Sequence, residues 1–171
     1  MISETHPNYA LVPKVGDEAP NFTLPDTEGQ PLHLASSLFD RPLVLVFYRG
    51  DWCPTCQNQL TQLAAVYEKI QAQGFDLWAI SPQKESTNKA FRDKRNFPFP
   101  ILADYGGEVI RAWGLLNEPA SQWRTMPFPG TFVVGQSGWI EWAHVGVDVT
   151  EHPPCGEVLQ VLSTLPVFST G

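Results

Sequence analysis

Between Leu43 and Tyr48 six apolar or aromatic residues follow one another without a polar break, the pattern of a strand buried on both faces of a mainly parallel sheet. From Cys56 the period changes. Leu60, Leu63, Ala64, Tyr67 and Ile70 recur at helical spacing until Gly74, a helix stop. A second strand, Phe75 to Ile80, follows at once, so the strand, long helix and strand make a βαβ unit and the fold class is α/β. Upstream, Phe22 to Leu24 and Leu32 to Leu34 flank Pro25-Asp26-Thr27-Glu28-Gly29, which predicts a small edge hairpin. Downstream, a polar helix is expected from Lys84 to Arg95, a short strand over Ile101 to Ala103 and a helix over Glu108 to Trp113. Thr131 to Val134 and Trp139 to Val145, joined by Gly135-Gln136-Ser137-Gly138, form the clearest hairpin and complete the sheet. A last helix starting near Pro154 carries Val158, Leu159, Leu162 and Leu165 on one face, enough to cover the sheet's open side. Residues 1–14 lack periodicity and read as a loose arm, leaving 15–171 as one domain.

The 171 residues, 43% of them hydrophobic, suffice for one core of ordinary size. Eleven Lys and Arg against eighteen Asp and Glu give a net charge of −7, which disfavours nucleic acid or an anionic membrane as the main partner. The longest apolar run falls far short of the ~20 residues a membrane span needs. Met1 to Pro13 has no basic cluster leading into an apolar stretch, so a cytosolic location is expected. In a reducing compartment three cysteines do not make a disulfide framework, and Cys53-Pro54-Thr55-Cys56 points to redox or metal chemistry.

The pair falls where the first buried strand meets the long helix. Unpaired amides and the positive end of the helix dipole favour a thiolate there, predicting pKa values below the free-thiol reference of ~8.5, lowest for the more exposed sulfur. Two intervening residues allow one helical turn to bring the sulfurs within bonding distance, and Pro54 suits a first helical turn. Other readings compete. The pair could be half of a zinc site completed by Cys155 with His152 or His144, although one CxxC alone is weak evidence. It could also be two inert core thiols. Arg49 could stabilise a thiolate or pair with Asp51 or Glu141. Cys155 reads as incidental more readily than as a second resolving thiol, and the tryptophans as core and rim packing rather than a substrate cage.

The segment Phe47-Tyr48-Arg49-Gly50-Asp51-Trp52-Cys53-Pro54-Thr55-Cys56 resembles the peroxiredoxin-like branch of the alkyl hydroperoxide reductase and thiol-specific antioxidant family. The likeness extends from Val15-Gly16-Asp17-Glu18-Ala19-Pro20-Asn21-Phe22-Thr23-Leu24 to Val147, including Pro129-Gly130-Thr131-Phe132-Val133-Val134 with Gly138 and Ile140. It implies a thioredoxin-like fold with an N-terminal hairpin extension. Cys56 falls on the attacking, peroxidatic position and Cys53 becomes the resolving thiol, with Arg49, Trp52, Thr55 and Pro129 as supporting residues. The implied reaction is reduction of hydrogen peroxide or an organic hydroperoxide. Thioredoxin or a similar thiol would supply the electrons, with no metal or organic cofactor. A homodimer through a sheet edge or helix face is compatible with this. The chain departs from the usual pattern at three places: Arg49 stands where the family has proline, Cys53 where it has threonine and Pro129 where it has arginine. Arg49 or Arg124 would then have to supply the missing charge. In those same places thioredoxins have Trp-Cys-x-x-Cys and a cis-proline, so a protein disulfide oxidoreductase in which Cys53 attacks first is the alternative. A redox-sensing module without catalysis is the third possibility.

Overall fold

The computed structural model describes residues 1–167. Its elements run in the order β1 (Thr23–Pro25), β2 (Pro31–His33), α1 (Leu34–Ser37), β3 (Leu43–Phe47), α2 (Pro54–Ala72), β4 (Asp76–Ser81), α3 (Glu85–Arg95), β5 (Ile101–Ala103), α4 (Glu108–Ala112), β6 (Gly130–Val134), β7 (Ile140–Val145) and α5 (Cys155–Thr164). The mixed α/β architecture expected from the hydrophobic pattern is present. β1 and β2 form a separate antiparallel hairpin, and the other strands make one sheet in the order β5-β4-β3-β6-β7. Leu34, expected to end the hairpin's second strand, instead begins α1.

β3 lies at the centre, parallel to β4 and antiparallel to β6. All five of its residues are buried, because each face meets a different layer. Leu43, Leu45 and Phe47 join a core with Trp78, Ile80, Trp113 and Phe132. Val44 and Val46, pointing the other way, join Leu60, Leu63 and Ile70 of α2, Phe91 of α3, and Val158 and Leu162 of α5. Both cysteines of the CxxC lie in this second core. No helix among the described residues is long and apolar enough to cross a membrane.

Residues 1–14 form turns and are docked rather than loose. His6 is buried and hydrogen-bonds through Nε2 to the Gly146 carbonyl at 3.0 Å, with its ring edge-on to Phe128. The Asn8 amide donates to the carbonyls of Gly114 (2.7 Å) and Leu116 (3.0 Å). Ile2 bridges to Val145 at the outer side of β7, and Val12 is buried. Polar side chains hold this arm by satisfying loop carbonyls, which leaves no hydrophobic period in the sequence. Replacement of Asn8 by alanine is expected to lower unfolding free energy by about 1–2 kcal/mol, since two partly buried carbonyls lose their donor. Urea denaturation measures it, and an unchanged midpoint would show that the arm contributes nothing.

Candidate active site

At the end of β3 the ladder continues for one residue, with Tyr48 N–H donating to the Ile80 carbonyl at 3.0 Å, and the chain then turns through Arg49 to Trp52 into α2. Two glutamines hold this turn. The Gln83 amide accepts from the Asp51 N–H (3.0 Å) and donates to the Asp51 carboxylate (2.8 Å), and the Gln57 amide donates to the Asp51 carbonyl. A β-carbon at Gly50 would collide with the Trp52 indole, so the absence of a side chain lets the ring lie against the turn. Neither glutamine has a sequence signal, because their role depends on where β4 and α2 pass the loop.

Cys53 is the N-cap of α2 and Pro54 its first residue. The Cys53 sulfur accepts from the Cys56 N–H at 3.3 Å, doing with sulfur what serine or aspartate oxygens do at other helix starts. Both cysteines are free thiols and each is only 3% exposed, so the expected difference in exposure is absent. The expected acid shift is also overturned for Cys56. Burial pushes its thiol above the ordinary range, and the adjoining Cys53 thiol pushes further. The backbone amides of Arg49 and Gly50 act against this, since they favour the Cys56 anion. Desolvation outweighs the amides and the helix dipole in the closed dithiol. Behind the pair, the Tyr48 hydroxyl is buried close to Ser81 without a well-formed hydrogen bond, and its pKa is raised by the same desolvation.

The supporting residues are partly assembled. Arg49 makes no ion pair with Asp51 or Glu141. Its Nε donates to the Met126 sulfur at 3.5 Å, and its guanidinium lies over the Trp52 ring at 5.0 Å. Arg124 also lies over that ring, at 4.8 Å. Trp52 is therefore a half-exposed platform for two cations rather than core packing. Thr55 is half-buried in the first turn of α2 and makes no side-chain hydrogen bond among the described residues. Pro129 is buried one residue before β6, and since Phe47 pairs with Gly130 it lies beside Tyr48 at the CxxC end of the sheet. Its peptide bond is trans, against the cis form expected from the thioredoxin likeness. Its carbonyl accepts from Gly146 N–H at 3.0 Å, which ties the segment to the end of β7. Cys155 starts α5, half-buried, with its sulfur 4.0 Å from the Gln62 amide oxygen. No group of His, Cys, Asp and Glu among the described residues could hold a metal ion, so Cys155, His144 and His152 are not gathered with the CxxC.

Next to Trp52 opens a cleft of about 700 Å³, lined by Arg49, Trp52, Lys84, Tyr105, Trp123 and Arg124 among others. Lys84, Tyr105 and Trp123 have no motif in the sequence. They arrive from the loops after β4 and β5 and before β6.

A dithiol at the N-terminus of a helix, following the central strand of a five-stranded mixed sheet, defines a thioredoxin-like redox protein. The chain belongs to the AhpC/TSA family, whose pattern matches residues 15–143. It is 33% identical over 165 residues to peroxiredoxin Q, chloroplastic, of Oryza sativa subsp. japonica, covering 95% of this chain and 74% of that protein. With peroxiredoxin Q, chloroplastic, of Sedum lineare it shares 35% identity over 133 residues, covering 78% and 69%. The crystal structure of peroxidoxin BcpB from Mycobacterium tuberculosis superposes with a TM-score of 0.80 at 24% identity, covering 90% of this chain and 99% of that one. That likeness establishes the fold.

A raised Cys56 pKa has two pH consequences. The thiolate fraction grows with pH, so the Cys56 alkylation rate should still be climbing above about pH 10, where a free thiol of pKa ~8.5 has levelled off. Stability moves the other way. A folded-state pKa above the unfolded value leaves the stabilisation intact below ~8.5 and removes it as pH rises toward the folded value. Urea melts of the reduced protein from pH 7 to 10 should therefore show a decline that is smaller in Cys56→Ser. Alkylation that plateaus by about pH 10 would contradict the shift.

Proposed function

We propose that the chain is a thiol peroxidase in which Cys56 attacks the peroxide and Cys53 resolves the product. Thiol-dependent peroxide reduction is supported by membership of the AhpC/TSA family and by the peroxiredoxin Q relatives. The assignment of roles rests on the electrostatics of the pair: the backbone amides of Arg49 and Gly50 favour the anion of Cys56, the residue inside the helix, while the Cys53 sulfur is held by the Cys56 N–H. Donors fixed in place can stabilise the anion at the moment of attack without reorganising.

The Cys56 thiolate attacks the terminal peroxide oxygen. An S–O bond forms, the O–O bond breaks, and the departing oxygen takes a proton and leaves as water or an alcohol. Cys56 is now a sulfenic acid. The Cys53 sulfur, already within reach of the Cys56 amide, then attacks the Cys56 sulfur. The S–S bond closes and water is lost. Two thiols of a reductant, thioredoxin or a similar donor in a cytosolic setting, restore the dithiol and become a disulfide themselves. Because both sulfurs are buried, oxidant and reductant each require the first turn of α2 to open. The reaction draws on one chain. A homodimer would serve stability or access rather than complete this site.

Variants of the two cysteines test the roles. Cys56→Ser should abolish peroxide consumption. Cys53→Ser keeps a good N-cap and should consume one equivalent, leaving a sulfenic acid on Cys56. Single-turnover assays with mass spectrometry read both. The converse, a silent Cys53→Ser and a Cys56→Ser that traps a mixed disulfide with a protein substrate, would assign the pair to protein disulfide exchange.

A further inference from the structure

The cleft beside Trp52 is cationic in a chain whose net charge is −7. Arg49, Lys84 and Arg124 line it, and no Asp or Glu does. None of the three forms an ion pair among the described residues, where both salt bridges belong to Lys89. They lie against rings instead: the two guanidinium groups over Trp52, and the Lys84 ammonium over Tyr105 at 5.2 Å. The nearby carboxylate of Asp148 feels Arg49 but is not part of the cleft wall. Trp123 stands at the cleft 94% exposed, an indole with almost no intramolecular packing. Cations without carboxylate partners, interleaved with exposed aromatic faces, make a surface suited to an anion on a flat apolar body.

The cleft also adjoins the turn that carries the dithiol. Arg49, whose backbone amide favours the Cys56 anion, lines the cleft with its guanidinium over Trp52, and Trp52 directly precedes Cys53. Its volume of about 700 Å³ and concave form suit a small molecule better than a flat protein surface. We propose that this cleft binds an aromatic hydroperoxide carrying a carboxylate, with the carboxylate on Arg124 and Lys84, the ring among Trp52, Tyr105 and Trp123, and the peroxide toward Cys56. This rests on the thiol peroxidase reading. The chemistry is the step given above: the hydroperoxide leaves as the corresponding alcohol and its carboxylate is unchanged.

Single-turnover oxidation of the reduced protein by 4-carboxy-cumene hydroperoxide, cumene hydroperoxide and hydrogen peroxide tests it. The carboxylated compound should react at least about tenfold faster than its neutral parent at low salt, and the advantage should shrink in 1 M salt because it is electrostatic. In Arg124→Gln and Lys84→Gln, both exposed positions, the ratio of the two rates should fall toward unity. A ratio within each variant cancels any general loss of activity. Equal rates for the two compounds in the unaltered protein, or a ratio unmoved in both variants, would overturn the proposal while leaving peroxidase activity intact. Failure of all three oxidants would instead remove the peroxidase reading. Equal oxidation rates combined with faster re-reduction by mercaptosuccinate than by 2-mercaptoethanol would assign the cleft to an anionic thiol, which also overturns the proposal.

Discussion

The hydrogen bond from the Cys56 amide to the Cys53 sulfur organises the whole functional end of the molecule. A helix that starts immediately after a buried central strand must find partners for its first amides, and here a sulfur supplies one. That choice keeps the two cysteines one turn apart and close together. It also keeps them beneath the surface, since the cap belongs to a helix whose inner face carries Leu60, Leu63 and Ile70 into the core.

Burial sets a conflict between stability and reactivity. The features that raise reactivity at a helix start, the dipole and unpaired amides, compete with desolvation of a sulfur that is 3% exposed. In the closed dithiol desolvation dominates at Cys56, so the resting state is a protected thiol rather than a standing thiolate. The Arg49 and Gly50 amides oppose that shift without overcoming it. In the proposed reaction the first turn has to open, and there Cys53 supplies the side-chain cap and Pro54 has no backbone N–H whose hydrogen bond could be lost. The raised pKa of Tyr48 has the same origin, which marks the floor of the site as a low-dielectric region.

The departures from the family pattern act together in space. Where a threonine and an arginine are usual, the chain has Cys53 and Pro129, and positive charge comes instead from Arg49 and Arg124 stacked on Trp52. Positive charge lies in the cleft beside the dithiol, at Arg49, Lys84 and Arg124. Two glutamines, Gln57 of α2 and Gln83 of the loop after β4, fix the turn between strand and helix through Asp51. The Gly50 position permits Trp52 to close over that turn.

The hydrophobic pattern was sufficient for the elements. A continuous apolar run, then a 3.6-residue period, then a second run determined β3, α2 and β4, because burial on two faces or one leaves a period that local sequence records. Cys53-Pro54-Thr55-Cys56 was legible for the same reason, since N-cap, proline and third helical position are set by local backbone geometry. The docked arm was not legible, because His6 and Asn8 hold it through carbonyls more than a hundred residues away. The direction of the Cys56 shift was not legible either. A helix start predicts acidity from sequence alone, but depth below the surface depends on how α3, α5 and the β6 segment close over α2. The cleft was least visible of all. Lys84, Tyr105 and Trp123 are unremarkable along the chain and join Arg49 and Arg124 in a site only when three loops converge on Trp52. Local sequence determined which backbone states formed and which residue types could carry redox chemistry. Solvent access and charge proximity depend on long-range packing, and only the tertiary structure decided them.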